Sequence, residues 1–156
     1  MYFDELAVGD AAEFSKTVTE ADVVMFAGIT GDLNPAHVDE VSASAGRFGG
    51  RIAHGMLVAS FISTVLGTRL PGPGTIYLSQ NVRFTAPVRL GDTVTARVEV
   101  AELEPRKRRA RLLTTVRNQR GETVVDGEAT VLVPARPVTP EVEAVPAGPA
   151  KPGPAK

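Results

Sequence analysis

The sequence predicts an α+β fold in one folded unit, a curved antiparallel sheet wrapped around a single long central helix. Two observations predict it. The stretch HGMLVASFISTVLGTRLPG carries Met56, Leu57, Val58, Phe61, Ile62, Val65 and Leu66 with almost no charged face, the pattern of a helix buried nearly all round. From Thr75 onward the apolar residues recur at every second position, the period of half-buried strands. One such helix and several such strands have an economical solution, in which the sheet curls over the helix. That is a hot-dog architecture.

The elements follow in chain order. Ala12 to Val18 is compatible with a strand, and Thr19 followed by Asp22 marks a helix start ahead of ADVVMFAGITG, which Gly31 ends. TGDLNPAH, Thr30 to His37, is then a polar loop past a helix C-terminus, leading to a second helical piece around Asp39 to Ala45. The glycine-rich GRFGGRIAHG precedes the apolar helix. In the strand region Val94, Ala96, Val98 and Val100 share one face, as do Ala110, Leu112, Thr114 and Val116, and Val125, Ala129, Val131 and Val133 continue the theme. NQRGE, Asn118 to Glu122, reads as the turn joining the last two strands. The folded domain is residues 1–133. Residues 134–156 are dominated by Pro, Ala and Gly without apolar periodicity and read as a disordered tail.

At 156 residues one domain buries roughly two-thirds of its unfolded surface. There is no cysteine, which excludes disulfides, thiolate metal sites and cysteine nucleophiles. MYFDELAVGD is acidic where a secretory signal is basic and then apolar, and no apolar run reaches about 18 residues, so the expectation is a soluble cytoplasmic protein. With 17 basic and 18 acidic residues, no global field points to nucleic acid or an anionic membrane. One helix cannot cover every apolar face and edge of the sheet, so pairing with a second copy is expected.

The chemistry concentrates in two places. In GDLNPAH, Asx-turn geometry explains Asp32 and Asn34, and Pro35 fixes φ, but neither explains His37. Because Pro35 stiffens the link, Asp32 and His37 can converge on one small volume as an acid–base pair. In IAHGMLVAS, Gly55 stands at the start of the apolar helix, where amides lack intrahelical partners and the dipole favours negative charge. Without a side chain there, a substrate carbonyl can approach the backbone as in an oxyanion hole. His54 then caps the helix or fills core space. Ser60 either bonds back to a helix carbonyl or lines the site, and no G-x-S-x-G surrounds it.

Other readings carry less. A metal site would recruit Asp32, His37, Asp39 and His54, but their spacing follows no established ligand pattern. GRFGGR and PGPG match neither phosphate-binding glycine motif, although Arg47 and Arg51 stand beside glycines and could touch a phosphorylated ligand. PRKRRAR, Pro105 to Arg111, reads as a solvated hairpin end.

FAGITGDLNPAHVDEVSAS, then IAHGMLVAS, then YLSQNVRFTAPVRLGDTV resemble the (R)-specific enoyl-CoA hydratases, the MaoC-like hydratase 2 group, over about Ala12 to Val133. The resemblance implies a hot-dog fold, a homodimer or assembly of dimers, and a trans-2-enoyl-CoA substrate. By motif Asp32 and His37 match the catalytic pair, Asn34 the position that orders the loop beside the substrate, and Ser60 a helix serine lining the site. The Gly55 amide is the expected oxyanion donor. Hydration of an α,β-unsaturated thioester needs an activated water, a proton for Cα and a stabilised enolate oxygen, with no metal, cofactor or covalent nucleophile. The apolar helix is expected to bury Asp32 and so favour its work as a base. The rivals are a hot-dog acyl-CoA thioesterase and a noncatalytic acyl-CoA-binding subunit. The paired Asp and His favour the hydratase.

Overall fold

A computed structural model describes residues 1–137 of the chain. A 3₁₀ turn, Phe3–Glu5, leads into β1 (Ala11–Thr17), followed by α1 (Glu20–Thr30), α2 (Pro35–Val38), α3 (Glu40–Ser44) and α4 (Gly55–Thr68). Then come β2 (Ile76–Phe84), β3 (Thr93–Glu104), a 3₁₀ turn at Pro105–Lys107, β4 (Arg109–Asn118) and β5 (Thr123–Leu132). The five strands form one antiparallel sheet in the order β1-β3-β4-β5-β2. The sheet is open, and α4 packs on its concave side, the hot-dog arrangement that the helix and strand patterns predict.

The strand periodicity becomes packing directly. Val94, Ala96, Val98 and Val100 of β3, Ala110, Leu112 and Val116 of β4, and Val125, Ala129 and Val131 of β5 are buried, with polar residues alternating outward. They meet Leu57, Val58, Phe61, Ile62, Val65 and Leu66 of α4 in one core. Fully burying a Leu, Ile, Val or Phe side chain contributes about 1.5–3 kcal/mol, which makes this interface the principal apolar stabilisation of the fold. Asn118 and Glu122 close the β4–β5 turn through the bond from the Asn118 amide to the Glu122 carbonyl (2.9 Å), as NQRGE predicts.

Three expectations are corrected. The helix α4 is not buried nearly all round: Met56 is 59 % exposed, and Ser60, Ser63 and Gly67 share its open side. A helix lying on one sheet buries one stripe, and the sequence shows only that the other side is uncharged. The helical piece expected around Asp39 to Ala45 is present as α3, but the polar loop expected before it contains a separate turn of helix, Pro35–Val38. Asn34 caps it by accepting from the Ala36 amide (3.1 Å), and Pro35 occupies its first position, where a missing N–H costs nothing. Finally, the packed chain does not stop at Val133. The Phe3 amide donates to the Pro134 carbonyl (3.0 Å), and Arg136 pairs with Asp4 (3.2 Å) and Glu5 (2.8 Å). The rest of the expected tail, from residue 138, lies outside the described residues.

Candidate active site

The helix α1 opens with Thr19 and Asp22 in a reciprocal capping box and closes on Gly31, whose φ of 76° is the left-handed conformation that glycine adopts without strain. The chain leaves the helix end through a ladder of short bonds. The Thr30 hydroxyl accepts from the Asp32 amide (3.2 Å), and Asp32 Oδ1 accepts from the Asn34 amide (3.2 Å). Asn34 then caps α2, whose single turn carries His37 back towards Asp32. Every polar side chain of TGDLN is thus spent on shaping a path that ends with Asp32 and His37 side by side.

The two histidines have defined tautomers in their neutral forms. His37 Nδ1 lies 2.8 Å from the Ile52 carbonyl oxygen, which only accepts, so Nδ1 carries the proton and Nε2 keeps a lone pair. His54 Nε2–H donates to the Asp32 carbonyl (3.0 Å) by the same reasoning, leaving its lone pair on Nδ1. The His37 and His54 rings lie 3.9 Å apart between centroids, tilted by 32° from parallel stacking. A carboxylate oxygen of Asp32 and one ring nitrogen from each histidine lie within 4.8 Å of one another. Among the described residues these three are also a group close enough together to hold a cation. Asp39, the fourth member of the metal reading, is engaged elsewhere: hydrogen bonds from the Ser42 hydroxyl (2.7 Å) and amide (3.1 Å) at the start of α3 hold its carboxyl below the usual carboxylate range.

Beside the pair lies a cleft of about 470 Å³, lined by Asp32, His37, His54 and Gly55 together with apolar Ile52, Val58, Phe84, Val88, Val124 and Val125. Gly55 is the first residue of α4, so its amide is among the helix-start donors without an intrahelical acceptor. The Phe84 ring leans over it so closely that a Cβ at Gly55 would fall 2.9 Å from Phe84 Cε1. A side chain at Gly55 could be accommodated only by moving that ring.

The remaining expected residues are sorted by the structure. Ser60 is exposed in the single chain, donates to the Leu57 carbonyl (2.6 Å) and is not among the residues that line this cleft. At 100° per residue it sits ~140° round the helix from Gly55 and ~40° from Met56, on the open side of α4. Asn34 is likewise spent on its cap and lies outside the cleft lining. Asp32 is exposed in the single chain, not buried by α4 as expected. Of the two arginines, Arg51 is held by Glu20 (2.9 Å) and Glu40 (3.3 Å), whereas Arg47 lines the cleft beside Phe48. Sequence reasoning missed Phe84, the Ile52 carbonyl and Arg89, whose guanidinium donates to the carbonyls of Gly50 (3.3 Å) and Phe48 and so fixes the loop at the cleft. No spacing rule marks a backbone carbonyl or a strand-end ring.

Residues 5–124 match the family described as MaoC-like domain. The chain belongs to that family. This MaoC-like protein is 54% identical over 135 residues to the (R)-specific enoyl-CoA hydratase of Rhodospirillum rubrum, covering 86% of this chain and 93% of that one. It is also 54% identical to the 3-hydroxybutyryl-CoA dehydratase of Methylorubrum extorquens, over 87% of this chain and 86% of that relative. Among solved structures, an unliganded (R)-hydratase from Pseudomonas aeruginosa superposes with a TM-score of 0.83 at 45% identity, covering 97% of this chain and 96% of that one. An (R)-hydratase of A. caviae involved in PHA biosynthesis gives 0.81 at 45% identity, over 83% of this chain and 98% of that one.

Proposed function

We propose that this MaoC-like protein hydrates trans-2-enoyl-CoA thioesters reversibly to (R)-3-hydroxyacyl-CoA. The observation that carries the reading is the Asp32 and His37 pair, a carboxylate oxygen and a ring nitrogen within 4.8 Å, set in a cleft that Gly55 also lines. The names of the relatives supply the thioester class and the (R) outcome.

The reaction adds water oxygen to Cβ and a proton to Cα. Asp32 accepts a proton from the water while the His37 Nε2 lone pair holds the same water by its other hydrogen. As the oxygen bonds to Cβ, the alkene electron pair moves through Cα to the thioester oxygen, which the Gly55 amide stabilises. The proton lodged on the Asp32/His37 pair returns to Cα, and the pair is regenerated. Both groups act from one side of the substrate, which gives syn addition. One oxyanion donor contributes about 2.7–4 kcal/mol in comparable sites.

The working unit is a homodimer or an assembly of dimers, supported by the exposed apolar edge at β2 and the open side of α4. Incubation with crotonyl-CoA tests the activity. Loss of enoyl absorbance without thiol release is expected; release of free thiol makes the protein a thioesterase, and neither change makes it a binding subunit.

A further inference from the structure

Four polar residues are buried among those described: His54, Asp92, Thr114 and Asn118. Asp92 takes the Gln119 amide (2.6 Å), Thr114 takes the Gln80 amide (2.9 Å) and Asn118 donates to Glu122 (2.8 Å). His54 differs. It is 2 % exposed, yet its Nδ1 has no hydrogen-bond partner among the described residues. A ring chosen only to fill the core would be better made of carbon, because an unpaired buried nitrogen destabilises the fold. The other contacts of the ring explain its presence. Its Nε2–H donates to the Asp32 carbonyl (3.0 Å), its face lies on His37 (3.9 Å between centroids), and Phe26 of α1 packs against it (5.0 Å).

The short segment Ile52 to Gly55 therefore touches every part of the proposed machinery. The Ile52 carbonyl fixes the His37 tautomer, the His54 ring fixes the Asp32 backbone and the His37 plane, and Gly55 offers the oxyanion amide. Asp32 is otherwise an exposed residue in a loop, held at its carboxylate, among the described residues, only by a bond from the Asn34 amide. We infer that His54 is the positioning residue of this site, pinning Asp32 through its carbonyl and His37 through ring contact so that both meet one water. The inference rests on the hydration reading for its kinetic consequence, and on geometry alone for the bond itself.

Three variants separate its functions. His54→Phe keeps a ring against His37 and Phe26 but removes the donor. His54→Gln places an amide nitrogen near where Nε2 stands, and His54→Asn is too short to reach the Asp32 carbonyl. A misplacement of about 1 Å at such a site costs on the order of 10²-fold in rate. His54→Phe should accordingly lower kcat on crotonyl-CoA by about that factor with KM changed less than about threefold and thermal stability preserved. His54→Gln should recover at least about tenfold of the loss and His54→Asn should not, a comparison that stands even where the phenylalanine variant fails to fold. In an Asp32→Asn background, His54→Phe should cost less than about threefold more, because its effect runs through Asp32. Near wild-type kcat in His54→Phe, equal activity of the Gln and Asn variants, or multiplying losses would each overturn the inference. A second readout needs no activity. The chain has two histidines, so ¹⁵N imidazole spectra resolve both rings, and His54 should be the Nε2–H tautomer and His37 the Nδ1–H tautomer. A wild-type protein inert on crotonyl-CoA would refute the hydration reading, while an Nδ1–H tautomer at His54 would refute the positioning bond.

Discussion

At the scale of single residues, the two ends of the mechanism make separate predictions. Asp32→Asn keeps an oxygen for the Asn34 amide and hence the turn, but cannot take a proton from water. Hydration should fall by about 10²–10⁴-fold with the fold intact, as measured by crotonyl-CoA kinetics beside circular dichroism. Adding His37→Ala should then cost much less than its own separate loss, since both side chains act on one water. Near wild-type hydration by Asp32→Asn would reduce the loop to a turn. Gly55→Ala tests the other end. The new Cβ would fall 2.9 Å from Phe84 Cε1 and must push that ring, a movable side chain 52 % exposed, into or across the cleft. We expect stability to change little and kcat to drop by about 10²-fold or more, in line with a damaged oxyanion donor. Asp32, His37 and Gly55 were legible in the sequence because each sits where a local rule constrains the backbone: a glycine helix end, a proline and a helix start. The surroundings of Ser60 and His54 were not legible, for a different reason. They are set by helix rotation and by contact between segments distant in sequence, which a linear pattern does not contain.

Among the elements, the turn before β3 connects the most. Asp92 accepts from the Gln119 amide (2.6 Å), Arg120 (3.3 Å) and the Arg89 amide (2.8 Å), and Arg89 in turn holds the Phe48 loop at the cleft. Burial works to raise the Asp92 pKa, but the hydrogen bonds from Gln119, the Arg89 amide and Arg120 outweigh it and leave the carboxyl below its usual value. With the folded pKa depressed, the stabilisation is fully present above the unfolded value of about 3.9 and is lost as pH falls through the lower folded value. Asp92→Asn should therefore destabilise by about 1–3 kcal/mol in urea titrations at neutral pH, with the gap to wild type shrinking near pH 3. A gap independent of pH would show that the carboxylate charge contributes nothing. The C-terminal boundary is tested by two truncations. Ending after residue 137 should leave the melting temperature unchanged, whereas ending after Val133 removes Pro134 and Arg136 from the N-terminal turn and should lower it by about 2–5 °C without loss of hydration. The strands and α4 were legible because their periods differ and their runs are long. The single turn α2 was not, because Asn34 and Pro35 signal a bend and a helix start with the same chemistry.

For the whole molecule, the open surfaces converge on one account. The strand β2 ends the sheet, with Ile76 55 % and Leu78 45 % exposed, and Met56 lies open at the start of α4. An apolar edge strand is a template for uncontrolled pairing unless it is covered, and a two-fold dimer covers it with an identical edge. The same contact would shield Asp32, which the single chain leaves exposed although the proposed reaction has it act on a water that must be held from bulk solvent. Sedimentation at micromolar concentration should therefore give a dimer or larger, and Leu78→Lys should weaken it by placing a charge on the shared edge. Dilution then discriminates between a dimer that merely stabilises and one that completes the site. If the second copy closes the cleft, specific hydration activity should fall with protein concentration in step with dissociation, and Leu78→Lys should shift that fall to higher concentration. Activity per chain that stays constant while sedimentation reports monomers would show that one chain holds the complete site, with the exposed carboxylate covered by substrate alone.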